Sequence, residues 1–225
     1  MDLRPVDELE GLFEHAREVG GSLPPVAARA FRETLAPALD AMRRGAEPFH
    51  AAAVALDGQA VLICGGPAAG KSTLVGRLLL DRPSARYVAD DAAAITPVPG
   101  GAAVHPATGP LRVTPELGRA LLTRFGGTVR PTTRGRMAWA VPETIRAPGP
   151  TTVSSVLILD EDVSGPTPLT GSRAARRIMA HLYVPGFAGP ERHRRIIHLV
   201  TLLAGSEVVA IPREDASAAI PGITA

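Results

Sequence analysis

Eight consecutive residues at 65–72 have the types and spacing needed to hold phosphate groups. Their sequence, GGPAAGKS, fits the pattern G-x-x-x-x-G-K-[S/T], in which backbone N–H groups surround the phosphates of a nucleotide. Lys71 supplies a cation for the β- and γ-phosphate oxygens, and Ser72 supplies a hydroxyl for Mg²⁺. A helix that begins here directs its N-terminal dipole at the anion. The segment predicts binding of ATP or GTP, with phosphoryl transfer or nucleotide hydrolysis as the chemistry.

The segments on either side of this loop occur in the order that the motif requires. An apolar run of strand type at 60–64 precedes the loop, and Leu74, Leu78 and Leu79 follow it at helical spacing. Strand, loop and helix in this order favour a phosphate-binding loop (P-loop) over a glycine-rich turn without a ligand. The predicted nucleotide-binding residues are Gly65, Gly66, Pro67, Ala68, Ala69, Gly70, Lys71, Ser72 and Thr73.

Phosphoryl transfer also needs acidic side chains near the γ-phosphate, and two pairs are candidates. The first pair, Asp90-Asp91, follows a β-type segment at 86–89. If that strand lies beside the strand that enters the loop, one acid holds Mg²⁺ while its neighbour accepts the proton of an attacking hydroxyl. This division of labour is that of a kinase. Two solvated aspartates that cap a helix are the alternative interpretation.

The second pair, Asp160-Glu161, follows the apolar run at 156–159 and resembles the metal-binding strand end of motor-type ATPases. In that arrangement Asp160 supports Mg²⁺ and Glu161 orients a water molecule. Asp162 follows at once, so a charged turn after a buried strand is a competing interpretation. The pair supports an alternative function, a nucleotide-binding accessory ATPase with a Walker B-type site.

The rest of the chain predicts a mixed-sheet α/β domain with a helical N-terminal extension. Asp57-Gly58, between two β-type runs, predicts a hairpin that pairs the strand before the loop with its predecessor. Further strands are predicted at 102–104, 111–113, 152–159 and 207–211, and helices at 7–19, 26–44, 115–125, 171–183 and 190–203. The predicted divisions are a helical extension at 1–45, a P-loop kinase-like domain at 46–215 and a flexible tail at 216–225.

Composition narrows the classes of partner. The chain has 225 residues, a net charge of +2 and only 4% aromatic residues, so neither charge nor base stacking indicates a nucleic-acid partner. No apolar run reaches the ~18 residues of a membrane span, and the N-terminus lacks the apolar region of a signal peptide. The single cysteine, Cys64, has no internal partner and agrees with a reducing compartment. We therefore expect a cytoplasmic protein without a membrane partner.

Four features together resemble the kinase domain of HPr kinase/phosphorylase and its compact relatives. These features are His50 at the start of a strand, the hairpin at 57–58, the P-loop at 65–73 and the Val88-Ala89-Asp90-Asp91 segment. The resemblance implies the P-loop fold that this family shares with phosphoenolpyruvate carboxykinase. It implies that Lys71 and Ser72 bind phosphate and Mg²⁺, and that Asp91 ligates the metal. Asp90 would be the general base toward a serine-type hydroxyl, and His50 would orient or tune it.

The family's regulatory domain and its glycine-rich glutamate-arginine signature are not recognisable in this sequence. We therefore expect a peptide or small-molecule hydroxyl as acceptor rather than the HPr protein, and a homo-oligomer is an open possibility. Arg134 and Arg136, on a Gly-bearing loop, are predicted to supply further positive charge to the transferring phosphate. Arginine clusters at 173, 176 and 177 and at 192, 194 and 195 could meet an acidic peptide or a second subunit, or could form ordinary polar helix faces.

Overall fold

The computed structural model describes residues 40–42, 44–132, 135–183 and 189–213. The predicted helix at 7–19, most of the helix predicted at 26–44 and the predicted tail at 216–225 lie outside these ranges. In the described part, twelve strands and four α-helices follow one another. The strands are β1 (Glu47–Phe49), β2 (Ala51–Leu56), β3 (Gln59–Gly65), β4 (Arg86–Ala89), β5 (Ala93–Val98), β6 (Gly101–Val104), β7 (Leu111–Val113), β8 (Thr128–Pro131), β9 (Met137–Ala140), β10 (Thr151–Asp160), β11 (Thr167–Pro168) and β12 (Glu207–Pro212). The helices are α1 (Lys71–Asp81), α2 (Pro115–Phe125), α3 (Gly171–Met179) and α4 (Pro190–Ala204).

The predicted hairpin is confirmed. β2 and β3 pair antiparallel from Leu56 opposite Gln59 to Ala51 opposite Cys64. At the turn, Asp57 has φ 50° and Gly58 has φ 83°, the two positive values that a type I′ turn requires. The turn matches the right-handed twist of the strands, and it places the start of β2 beside the end of β3.

The strand order of the large sheet is β1-β5-β6-β10-β3-β2-β4. β12 pairs with the second half of β10, in parallel, and β11 pairs with β12. β10 is also parallel to β3, whereas β2 is antiparallel to both β3 and β4. β4, β3, β10 and β12 therefore all point in the same direction. β4 does not lie beside β3 as the kinase interpretation had supposed, because β2 lies between them.

Both faces of the large sheet are covered, so its central strands are apolar on both sides. On one face, Ala52 and Val54 of β2 pack in one core with α1, α2 and a small sheet of order β7-β9-β8. On the other face, Ala51 and Ala53 pack in a second core with α3 and α4. β2 is buried along its whole length for this reason. None of the described helices is long and apolar enough to cross a bilayer.

A buried carboxylate joins β1 to α4. Glu47 has a fully buried side chain, and its two carboxylate oxygens accept hydrogen bonds from Arg192 and Arg195 at 2.8–3.0 Å. Two of the three arginines predicted as a surface cluster are therefore committed to an internal ion pair. The ion pairs of Glu47 with these arginines hold β1 against α4. They thereby also fix the position of the chain that leads into His50.

We expect Glu47→Gln to lower the free energy of unfolding by about 3 to 5 kcal/mol, because it leaves the buried Arg192 guanidinium without a counter-charge. Urea denaturation followed by circular dichroism measures the change. Glu143→Gln is the matched control, since Glu143 is 89% exposed and its pairing with Arg146 is worth at most about 1 kcal/mol. Equal effects of the two substitutions would show that the buried ion pairs of Glu47 do not stabilise the fold.

Candidate functional site

Five segments meet at one edge of the large sheet. Because β3, β4, β10 and β12 run in the same direction, the residues that follow them lie at this edge, and β2 starts there. The order along the edge is Asp90-Asp91 after β4, His50 before β2, the loop at 65–70 after β3, Asp160-Glu161 after β10 and Arg213 after β12. Both predicted acid pairs therefore reach the edge, on opposite sides of the loop.

The loop at 65–70 has the backbone shape that an anion site requires. Gly70 caps α1 with φ 99°, a left-handed conformation that favours glycine, and Ala68 has φ 60°. Gly70, the N-cap residue, has no side chain that could cap the helix, and the first turn of α1 carries no acidic residue. The first N–H groups of a helix have no partners within it, so those of α1 remain able to bind an anion such as a phosphate. These features fit a nucleotide phosphate chain.

Lys71 lies inside this loop. Its Nζ donates hydrogen bonds to the carbonyl oxygens of Gly65 at 2.9 Å and Gly66 at 3.0 Å, and it lies 3.3 Å from His50 Nε2. Burial lowers the pKa of the Lys71 ammonium, while the negative charges of Asp90 and Asp91 oppose that shift. The side chain places a cation at the base of the loop, where phosphate oxygens can replace the carbonyl partners.

Asp90 is bound to the end of the P-loop. Ser72 Oγ donates to Asp90 Oδ1 at 2.7 Å, and the backbone N–H of Arg112 donates to Asp90 Oδ2 at 3.1 Å. Burial raises the pKa of the Asp90 carboxyl, whereas these two hydrogen bonds act against the increase. The carboxylate is thus held next to the hydroxyl that the P-loop motif assigns to Mg²⁺.

Asp91 takes a different direction from its neighbour. It has φ 67°, a left-handed conformation that aspartate tolerates better than most residues. Its carboxylate lies 3.1 Å from Arg112 Nη1 and 3.5 Å from His50 Nε2, and its side chain is partly exposed. The adjacent acids therefore face different partners: the Asp90 carboxylate faces Ser72, and the Asp91 carboxylate faces His50.

Three further residues belong to this part of the edge. Arg112, on β7 of the small sheet, contacts both acids, while His181 and Tyr183 follow α3. His50 N–H donates to the His181 carbonyl at 2.7 Å, and the Tyr183 ring lies edge-on to His50 at 5.6 Å. Burial raises the pKa of the Tyr183 hydroxyl. Sequence reasoning missed all three, because no local spacing relates them to the P-loop.

The helix predicted at 171–183 is shorter in the structure. α3 ends at Met179, and the residues after it pair with β1: Leu182 forms an isolated bridge with Phe49, and Tyr183 N–H donates to the Pro48 carbonyl at 2.9 Å. Pairing with β1 replaces the last helical turn. That exchange brings His181 and Tyr183 to the site.

The second acid pair has other partners. Asp160 accepts a hydrogen bond from the Asp162 N–H at 3.1 Å and contacts the Arg177 guanidinium. Glu161 lies 3.0 Å from Arg213. The P-loop serine donates to Asp90 and not to Asp160. The two residues thus lie beside the loop, but each is paired with an arginine.

Of the two arginines predicted to cover the transferring phosphate, Arg134 lies outside the described residues. Arg136 is half-buried, and its charge acts with burial to lower the pKa of Lys71. The carbonyl of Arg136 accepts a hydrogen bond from the Thr132 N–H at 2.8 Å.

Comparison with known proteins gives a distant structural relationship. No family model matches the chain, and no curated protein matches its sequence. Among solved structures, the HPr(Ser) kinase/phosphatase from Coxiella burnetii is similar over 79% of this chain and 93% of its own, with 14% identity and a TM-score of 0.44.

The lowered pKa of His181 leads us to expect that the stability of the protein depends on pH. Burial lowers this pKa from 6.5 to about 4, and the charges of Lys71, His50 and Arg177 act in the same direction. Below pH 6.5 the unfolded chain binds the proton first, so stability falls between about pH 6.5 and pH 4 and does not change further on this account below that window.

We expect His181→Gln to reduce this loss, measured as the free energy of unfolding from pH 7 to pH 4. His193→Gln, at an exposed position of α4, is the control and should keep the wild-type slope. An unchanged slope in His181→Gln would contradict the partly buried, neutral state of this imidazole.

Proposed function

We propose that this chain is a phosphotransferase that moves the γ-phosphoryl group of ATP or GTP to a hydroxyl of a peptide or small molecule. The observation that carries the proposal is the 2.7 Å hydrogen bond from Ser72 to Asp90. This hydrogen bond connects the P-loop, which follows β3, to an acid that follows β4, two strands away in the sheet. Lys71, Asp91 and His50 lie around the bonded pair. A phosphate cradle, a cation and two acids at one edge are the parts that phosphoryl transfer needs.

The residues present fit a bound Mg²⁺. The described residues contain no group of three or more His, Cys, Asp and Glu side chains that could hold a metal by themselves. Mg²⁺ in kinases takes one or two protein ligands and completes its shell with phosphate oxygens and water. Ser72 and a neighbouring carboxylate suffice for that role. When bound, the ion supplies positive charge to the phosphate oxygens.

The geometry supports a division of roles between the two acids that is the reverse of the one implied by the family resemblance. Asp90 is bound to Ser72 and therefore lies on the metal side. Asp91 is more open and faces His50, so it is our candidate for the proton acceptor. As the bond from the acceptor oxygen to the γ-phosphorus forms, the bond to the β–γ bridging oxygen breaks and the hydroxyl proton passes to the Asp91 carboxylate. His50 and Arg112 position that carboxylate.

The described contacts of Asp160 and Glu161 give less support to the alternative, an accessory ATPase that uses these two acids. Both carboxylates are paired with arginines, and the Asp160 carboxylate also accepts the N–H of its own turn. These contacts are typical of acids at a strand end whose negative charges are balanced by neighbouring arginines.

We expect Lys71→Ala to lose nucleotide binding, and Asp90→Asn to lose phosphoryl transfer while keeping nucleotide binding at saturating Mg²⁺. Binding of AMP-PNP is measured by calorimetry, and transfer from ATP to a pool of serine-containing peptides is measured as a mass gain of one phosphate. Asp57→Asn is the control, because it makes the same chemical change at the exposed hairpin turn at the opposite end of β2.

Glu161→Gln separates the two functions. A kinase centred on Asp90 keeps its transfer rate within a few-fold in this variant, whereas an ATPase centred on Glu161 loses turnover, measured as ADP release. Loss of turnover in Glu161→Gln together with normal turnover in Asp90→Asn would reject the kinase assignment.

The roles of the two acids predict different responses to Mg²⁺. We expect Asp90→Asn to raise the Mg²⁺ concentration needed for half-maximal AMP-PNP binding by about tenfold or more, because a ligand on the metal side loses its charge. Asp91→Asn should lower kcat without moving that midpoint. A shifted midpoint in Asp91→Asn alone would restore the assignment implied by the family resemblance.

A further inference from the structure

The Asp160-Glu161 pair has no role in the proposed reaction, although it lies directly beside the P-loop. In the pairing of β10 with β3, Leu159 lies opposite Gly65, the first residue of the loop. In the pairing of β10 with β12, Asp160 lies opposite Pro212. The residues that follow these three strands are therefore neighbours. Arg213 reaches the edge on the side of the loop opposite to Asp90 and Asp91.

Arg213 extends from the end of β12 across the end of β10 to the loop. A Cβ atom placed on Gly66 would lie 3.6 Å from Arg213 Nη2, so the guanidinium lies in contact range of the loop backbone. On its other side, Arg213 Nη1 is 3.0 Å from Glu161 Oε2. The Arg213 side chain is 36% exposed, and that of Glu161 is 68% exposed. One arginine thus connects an exposed carboxylate to the loop that would hold the phosphates.

The Glu161–Arg213 pair is not suited to a stabilising role. Ion pairs between exposed side chains are worth about 0–1 kcal/mol, and one that bridges two strand ends adds little to a sheet already joined by its backbone. The neighbouring pair keeps the local charge in balance, since Asp160 contacts Arg177. Arg213 can therefore bind a phosphate through Nη2, which faces Gly66, while Nη1 keeps its carboxylate partner.

We propose that Arg213 binds the phosphate chain of the nucleotide, and that Glu161 is a positioning residue that holds the guanidinium beside Gly66. The inference rests on the proposed function, because it requires a nucleotide in the P-loop. The planar guanidinium offers several N–H donors in a geometry that matches phosphate oxygens. With Lys71 below the loop and Arg213 at its side, phosphate oxygens meet cations from two directions.

The test compares binding of AMP-PNP and AMP, each with Mg²⁺, to the wild type, Arg213→Gln, Arg213→Lys and Glu161→Gln. Arg77→Gln is the matched control, because it removes the same charge from an exposed position of α1. Melting temperatures identify any variant that is not folded, and Arg213→Lys keeps the charge if the glutamine variant fails to fold. The difference between the tri- and monophosphate is a readout that a merely structural role would not move.

We expect Arg213→Gln to weaken AMP-PNP binding by about tenfold to a hundredfold, the range of a charge-assisted hydrogen bond, with a much smaller effect on AMP. Arg213→Lys should recover part of the loss, and Glu161→Gln should weaken AMP-PNP binding by only a few-fold. Wild-type affinity in Arg213→Gln, with normal binding by Arg77→Gln, would overturn this inference and leave the proposed function intact. Failure of the wild type to bind AMP-PNP and also GMP-PNP would overturn both.

Discussion

The antiparallel register of β2 between β3 and β4 is the constraint on which the candidate site depends. It places His50 beside the end of β3. Because β2 is antiparallel to both of its neighbours, β3 and β4 run in the same direction, and Asp90 therefore lies at the same edge of the sheet as the P-loop. A shift of one residue would turn every side chain of β2 to the opposite face, so that Val54 and Leu56 would enter the core that alanines now fill and alanines would leave voids in the other. Because β2 is buried on both faces, packing enforces the register.

The same arrangement balances charge around the loop. The acids after β4 contact Ser72, Arg112 and His50, and the acids after β10 contact Arg177 and Arg213. Lys71 lies between these groups with carbonyl oxygens as its partners. Its ammonium is therefore oriented by neutral groups, which hold it less strongly than a carboxylate would. Cations and acids that are already oriented before a ligand enters need little reorganisation when charge moves during phosphoryl transfer.

Local patterns in the sequence were sufficient for the elements but not for all of the site. The hairpin at Asp57-Gly58, the order of strand, loop and helix around residues 65–70, and most strands and helices of the described part were predicted, because turn residues and hydrophobic periodicity are local signals. Arg112 and His181 were not predicted as site residues, because only contacts between segments distant in sequence bring them to the edge. The end of α3 was misplaced for the same reason, since β1 competes with the helix for residues 181–183.

The two acid pairs show why a motif cannot choose between candidates that the fold makes equivalent. Asp90 and Asp160 each follow a buried strand, and both strands end at the edge that carries the loop. β10 is the strand adjacent to β3, so proximity in the sheet favours Asp160. The side-chain contacts favour Asp90, because α1 starts with Ser72 turned toward β4 and because Arg177 already neutralises Asp160. The direction in which the P-loop helix leaves the sheet, rather than the order of the strands, selects the acid that shares the site with the serine hydroxyl.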